Sequence, residues 1–196
     1  MTKLTSNQLK DIVARRHTYN GREALDMLLT LILNMFSRTE IENRTGWAAY
    51  TDTVLTSGSP LTLVANTETV LTNNKGTSLE SQMPDDVTTF YDGTRIQGFN
   101  GDDIIIGIRF KAVPRAAGTT YVDVRVNIDG APGVIYEETK EFPKGQGTER
   151  SVNVTFSGYS LGTFEANGAE ILVESNGALD IYDVVCIVKR THKAKN

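Results

Sequence analysis

Cysteine occurs once in the 196 residues, as Cys186. No disulfide can form within the chain, and the flanking sequence VVCIV marks the thiol as buried and inert rather than reactive. This usage suits a chain made and kept in a reducing cytoplasm; the short sequons Asn43-Arg44-Thr45 and Asn153-Val154-Thr155 do not outweigh it. Histidine occurs twice, at His17 and His192, with neither metal-ligand spacing nor a neighbouring carboxylate and nucleophile. The acidic pairs Asp85-Asp86 and Asp102-Asp103 read as solvated turns, because adjacent turn carboxylates usually point apart and do not form an acid/base pair. The sequence implies no enzyme, no catalytic residue, no metal and no cofactor. Aromatic residues, 8% of the chain, are scattered and offer no carbohydrate platform. Lys144-Gly145-Gln146-Gly147 does not join a strand to a helix, so it is no phosphate-cradling loop. The stretch Gly98–Gly107 resembles one calcium-roll nonapeptide, but that architecture needs stacked copies and no second one exists.

Long hydrophobic runs are missing too. The longest, Leu25 to Phe36, has twelve residues. As a helix it would span roughly 18 Å, against a hydrocarbon core of about 30 Å. Arg22, Glu23, Asp26 and Arg38 bound it, and more than twenty largely polar residues precede it, which argues against a membrane span and a signal peptide alike. A net charge of −4 gives no case for nucleic-acid binding. The charge is uneven, however. Residues 1–45 carry seven Lys or Arg against five Asp or Glu, and the tail from Lys189 carries four basic residues and no acid. The body between holds nine basic against nineteen acidic residues, which suits a domain that repels its neighbours while a terminus docks elsewhere.

What the sequence does contain is a greasy helix near its start. At 3.6 residues per turn Asp26, Thr30, Asn34 and Arg38 form one narrow polar stripe, while Leu25, Leu28, Leu29, Leu31, Ile32, Leu33, Met35 and Phe36 cover the rest. A helix apolar over most of its circumference must be surrounded by protein. It can pack on its own β-domain or on copies of itself, and self-association is favoured because the later strands ask for the same neighbour. A smaller helix precedes it. Thr5 and Gln8 have capping-box spacing, Leu9, Ile12, Val13 and Arg16 share a face, and Asn20-Gly21 is a natural stop.

From Trp47 the pattern changes to short strands cut by Gly, Asn, Asp and Pro. Candidates are Trp47–Leu55, Leu61–Val64, Thr69–Leu71, Thr88–Tyr91, Ile104–Val113, Thr120–Ile128, Val134–Phe142, Arg150–Phe156, Ala169–Glu174 and Asp180–Lys189. Asp92-Gly93, Asp129-Gly130, Asn167-Gly168 and Asn176-Gly177 read as hairpin turns, and no helix is expected between strands. In TYVDVRVNID apolar and polar residues alternate, which gives a sheet one wet face. IIIGI (104–108) and IYDVVCIV (181–188) are apolar on both faces, so they need a second partner, plausibly another subunit.

The segments GWAAYTDTVLTSGSPLTLVANTETVLTNN (46–74) and MPDDVTTFYDGTRI (83–96) resemble the first strands and proline-bearing loop of tumour-necrosis-factor-like (TNF-like) trimeric jelly rolls of bacteriophage virions. ANGAEILVESNGALDIYDVVCIVKR (166–190) is similar to their closing strands, the last of which lines a threefold axis. The resemblance implies a mainly β fold: an antiparallel jelly-roll sandwich, TNF-like and trimeric, at residues 46–196 with a basic C-terminal tail. An N-terminal α-helical anchor and oligomerisation segment would occupy residues 1–45. The expected function is a structural virion protein, a homotrimeric head fibre or capsid decoration protein held on the major capsid or another virion protein. The alternative is a tail-fibre or receptor-binding tip reading a host surface glycan or protein through loops near 92–102 or 143–149. Leu25, Leu28, Leu29, Ile32, Met35 and Phe36, with Ile181, Val185 and Ile187 on the last strand, form the expected oligomer interface. Leu9, Ile12, Val13, Arg15 and Arg16 form the expected particle attachment. The basic end KRTHKAK (189–195) reads as a solvated terminus or a contact to an acidic partner, and Trp47 as packing at the junction of helices and sheet.

Overall fold

The structure is a computed structural model that describes residues 26–34, 44–130, 132–143 and 146–193. The chain divides into two compact units, Met1–Arg44 and Thr45–Asn196. In the first, residues 26–34 form a helix, α1. Leu28, Leu29, Ile32 and Leu33 on it are between 38% and 55% exposed in the single chain, and Thr30 folds its hydroxyl back to donate to the Asp26 carbonyl at 2.8 Å. Leu9, Ile12, Val13, Arg15, Arg16, Leu25, Met35 and Phe36 lie outside the described residues, as does the capping box at Thr5.

The second unit is built of eleven strands in two antiparallel sheets. They are β1 (Gly46–Thr51), β2 (Leu61–Leu63), β3 (Thr69–Val70), β4 (Thr77–Leu79), β5 (Arg95–Ile96), β6 (Asp103–Pro114), β7 (Tyr121–Ile128), β8 (Gly133–Glu141), β9 (Arg150–Tyr159), β10 (Ala169–Ser175) and β11 (Leu179–His192). The first sheet runs β4-β1-β11-β6-β9, with β2 also on β11; the second runs β3-β10-β7-β8, with β5 on β10. After β6 the chain crosses to β7, makes the β7–β8 hairpin, and then changes sheet at every connection through β9, β10 and β11. Sheet-switching of this kind is the jelly-roll pattern, and both sheets turn an apolar face inward. Ile104, Ile106, Ile108 and Phe110 of β6 meet Val122, Val124 and Val126 of β7, Ile171 and Val173 of β10 and Val184, Cys186 and Val188 of β11 in one core.

Three local readings change. Of the four dipeptides, Asp129-Gly130 joins β7 to β8 and Asp92-Gly93 turns Tyr91 back onto Ile96. The other two sit on sheet crossings, where Asn176 accepts from the Thr120 amide and donates to the Gly118 carbonyl. One of those crossings holds a short helix, α2 (Gly162–Asn167), which buries Phe164 and stops at Gly168 (φ 68°). The third concerns β11. Asp183 adopts φ 53°, and the β11–β6 register shifts between Tyr182 and Val185. This bulge inserts one residue and inverts the inside–outside alternation beyond it. Ile181 and Val185, four residues apart, would share a face on a regular strand. Here Ile181 is 0% exposed in the core beside Ala112 and Leu61, while Val185 looks outward. Ile181 is therefore a core residue, not an interface residue. The bulge is held by the segments that follow β1 and β3: the Asp52 amide donates to the Val184 carbonyl, the Asp183 amide to the Leu55 carbonyl, and the Asn73 amide group to the carbonyls of Tyr50 and Val184.

Candidate subunit interface on the first sheet

The outer face of the first sheet can be read row by row from strand register. One row runs Leu79, Ala49, Ile187, Gly107, Thr155; the next runs Trp47, Lys189, Ile105, Ser157; the third runs Thr77, Thr51, Val185, Arg109, Asn153. These three rows contain no carboxylate and only two charges. Leu79 is 57% exposed, Ile187 43% and Trp47 37%. Val185, Ile105, Ala49 and Gly107 are half-buried between them. The strip comes from alternation: Ile104, Ile106 and Ile108 face inward, so Ile105 and Gly107 must face outward. The dry-on-both-sides strands of the sequence are thus two central neighbours of one sheet, with Val185 and Ile187 on its outer surface. Trp47 belongs to this surface, and Ala49, Leu79, Ile105 and Gly107 were missed as members of it. The odd positions of IIIGI carried the clue for Ile105 and Gly107.

The second sheet presents the opposite surface. Arg125 of β7 is ringed by four carboxylates, at 2.7 Å from Glu137, 2.6 Å from Glu174, 3.2 Å from Glu68 and 3.3 Å from Asp123. Hydrogen bonds that its guanidinium donates to Glu137 and Glu174 raise its pKa above the ordinary arginine value. Arg95 likewise pairs with Glu170 at 2.8 Å and Asp129 at 3.0 Å. This face is acidic, charged and internally satisfied, which suits contact with water.

A third feature lies at the end where β1 begins. Arg190 is fully buried; its guanidinium pairs with Asp102 at 3.1 Å and with Asp86, and sits 5.8 Å from the Phe99 ring centre. Lys193 reaches Asp86 at 2.5 Å. Burial alone would raise the Asp86 pKa, but hydrogen bonds from Arg190 and Lys193 outweigh it and hold the value at about 2. Two sequence readings are corrected here. Asp102, 2% exposed, and Asp86 are ion-pair partners rather than solvated turn residues, and Arg190 and Lys193 of the basic end clamp the domain. The alternation Val184, Cys186, Val188, Arg190 explains it, since every member points inward. His192 is exposed at the end of β11. Cys186 is buried and its thiol is pushed up to about 12 by desolvation. Among the described residues no three His, Cys, Asp or Glu side chains gather as a metal-holding group, and no helix is long and apolar enough to cross a membrane.

The two loop regions expected to read a ligand lie at opposite ends of the sandwich. Residues 92–102 lead into Asp103, beside the end of β11, whereas residues 143–149 precede Arg150, which pairs with Ala112 near the far end of β6.

No protein-family model matches the sequence, and no curated protein does. Among solved structures, the Eiger TNF of S. frugiperda matches 78% of this chain and 96% of its own, with a TM-score of 0.50 at 5% identity. The fold is a mainly β, antiparallel jelly roll, similar in architecture to that TNF structure. At that identity the likeness speaks for architecture alone. The PRD1 vertex protein P5 (TM-score 0.43, 14% identity, 76% of this chain and 73% of that one) is a more distant neighbour. So is a carbohydrate-binding module of Cellvibrio mixtus lichenase 5A in complex with cellotriose (0.37, 13%, 79% and 94%). Neither carries an argument at that distance.

Proposed function

We propose that this chain is a structural protein of a bacteriophage virion. It acts as a homotrimer whose jelly rolls pack round a threefold axis through the outer face of the first sheet. Its N-terminal helical segment, with Leu9, Ile12, Val13, Arg15 and Arg16, holds it to the major capsid or another virion protein, as a head fibre or decoration protein. The observation that carries the reading is the contrast between the two outer faces: one rich in self-satisfied ion pairs, the other an apolar strip with no carboxylate in its three central rows. A large apolar side chain contributes about 1.5–3 kcal/mol when fully buried, so Trp47, Leu79 and Ile187 gain most from a protein neighbour. The exposed leucines of α1 add the same demand. The assignment to a virion is supported by the resemblance of residues 46–74, 83–96 and 166–190 to phage jelly rolls. The test is mass spectrometry of purified particles followed by negative-stain imaging of a C-terminal label. Label on the capsid shell supports decoration, and absence of the protein from purified particles overturns the reading.

A further inference from the structure

The outward-facing residues of the two central strands repeat one pattern. On β11 from Asp183 to Lys189 they are Asp183, Val185, Ile187 and Lys189, with Thr191 beyond; on β6 from Asp103 to Arg109 they are Asp103, Ile105, Gly107 and Arg109, with Lys111 and Val113 beyond. Each strand reads acid, apolar, apolar, base. Because β11 and β6 are antiparallel, each end of the face carries one acid and one base on adjacent strands: Asp183 with Arg109 at the bulged end, Lys189 with Asp103 at the other. Within the chain these charges do not meet. None of the four side chains makes an ion pair or side-chain hydrogen bond with any described residue. Asp183 and Arg109 instead border a hollow of about 480 Å³, and Asp103 borders one of about 230 Å³. Such behaviour contrasts with the second sheet, where Arg125 and Arg95 are fully paired.

Resting on the trimer reading above, we propose that these four residues are the intersubunit charge code of the apolar strip. A rotation axis running along β11 and β6 keeps the bulged ends of all copies together. It brings the β11 side of one copy to the β6 side of the next, so Asp183 meets the neighbour's Arg109 and Lys189 meets the neighbour's Asp103. The same operation brings Gly46, the first residue of β1, to one end in every copy. The occupant of the face is a second copy of this chain. A face-to-face packing with copies reversed end to end would instead pair Asp183 with Lys189 and Arg109 with Asp103, so of the two packings only the parallel one allows a double reversal at 189 and 103 to restore association.

The experiment uses the full chain and the Lys189–Asp103 pair, since Asp183 has a left-handed φ that reversal to a lysine or arginine would strain. Lys189→Glu and Asp103→Lys are each expected to weaken the trimer by about tenfold or more, as like charges meet across the interface. The double variant Lys189→Glu with Asp103→Lys restores it. Arg109→Glu weakens it independently. Sedimentation equilibrium reads the dissociation constant, and thermal melting of each variant establishes that the domain is folded. A wild-type trimer indifferent to every single charge reversal, or a double variant no tighter than the singles, overturns the charge code while leaving the trimer. A monomeric wild type removes the trimer reading itself.

Discussion

Removing the guanidinium of Arg190 takes a charged partner from Asp102, which is 2% exposed, and from Asp86 at once. Breaking a buried ion pair from one side costs about 3–5 kcal/mol, because the remaining charge is left in a poorly solvating site. Arg190→Met is accordingly expected to lower unfolding stability by that order in urea, whereas Lys189→Met, one residue earlier and facing outward, changes it little. Asp86 gives the same cluster a pH signature. Its folded-state pKa of about 2 lies below the ordinary 3.8, so its contribution is complete above the ordinary value and disappears as pH falls through about 2. Without Arg190 the shift shrinks, so acid titration of the Arg190→Met protein should show a smaller loss over this range than the wild type. A superimposable acid limb in the two proteins would mean that Arg190 does not hold Asp86. Gly158 makes a second residue-scale point. A Cβ there would lie 1.4 Å from the Tyr136 hydroxyl, whose ring stacks on Phe156 at 5.7 Å, so Gly158→Ala should destabilise the closure of β8 over β9 and Tyr136→Phe should partly relieve it.

At the scale of strands, the bulge at Asp183 decides which residues of β11 reach the surface. Asp tolerates a left-handed backbone better than a β-branched residue does. Asp183→Val is therefore expected to cost about 1–2 kcal/mol in thermal or urea unfolding, and Asp183→Asn or Asp183→Gly to be close to neutral. Equal stability of the Val and Gly variants would contradict the role given to φ. The bulge also explains what the sequence could and could not reveal. Strands β7 and β9 were legible because apolar and polar residues alternate along them, and β6, β10 and β11 because apolar runs sit between turn residues. Val185 and Ile187 face outward and Ile181 does not, because an inserted residue leaves no mark on hydrophobic pattern. β4 is three exposed residues, Thr77-Ser78-Leu79, with no alternation to read. Helix α2 is six residues, GTFEAN, too short to show a helical period. Thr88–Tyr91 had the right composition for a strand but became a loop tied by the Thr89 hydroxyl donating to the Tyr91 carbonyl at 2.9 Å. Arg190 was hidden differently: its neighbours Lys189 and Lys193 suggested a solvated tail, and only the parity of β11 shows that it points inward.

For the whole molecule the account joins two surfaces that a single copy leaves open, the apolar strip of the first sheet and the leucines of α1. Leu29→Asp together with Ile32→Asp should shift the protein to monomers or aggregates by light scattering, if α1 helps hold the copies together. Ile187→Lys, with a folded domain by circular dichroism, should weaken association through the other surface. The two changes lie in different compact units, so combining them should be at least additive. The measurement that bears most directly on the central claim is sedimentation equilibrium of the wild-type chain at micromolar concentration. The account expects a species of three times the 21.5 kDa chain mass that dissociates when Ile187 is replaced by Lys. A compact, monodisperse species of 21.5 kDa would contradict it.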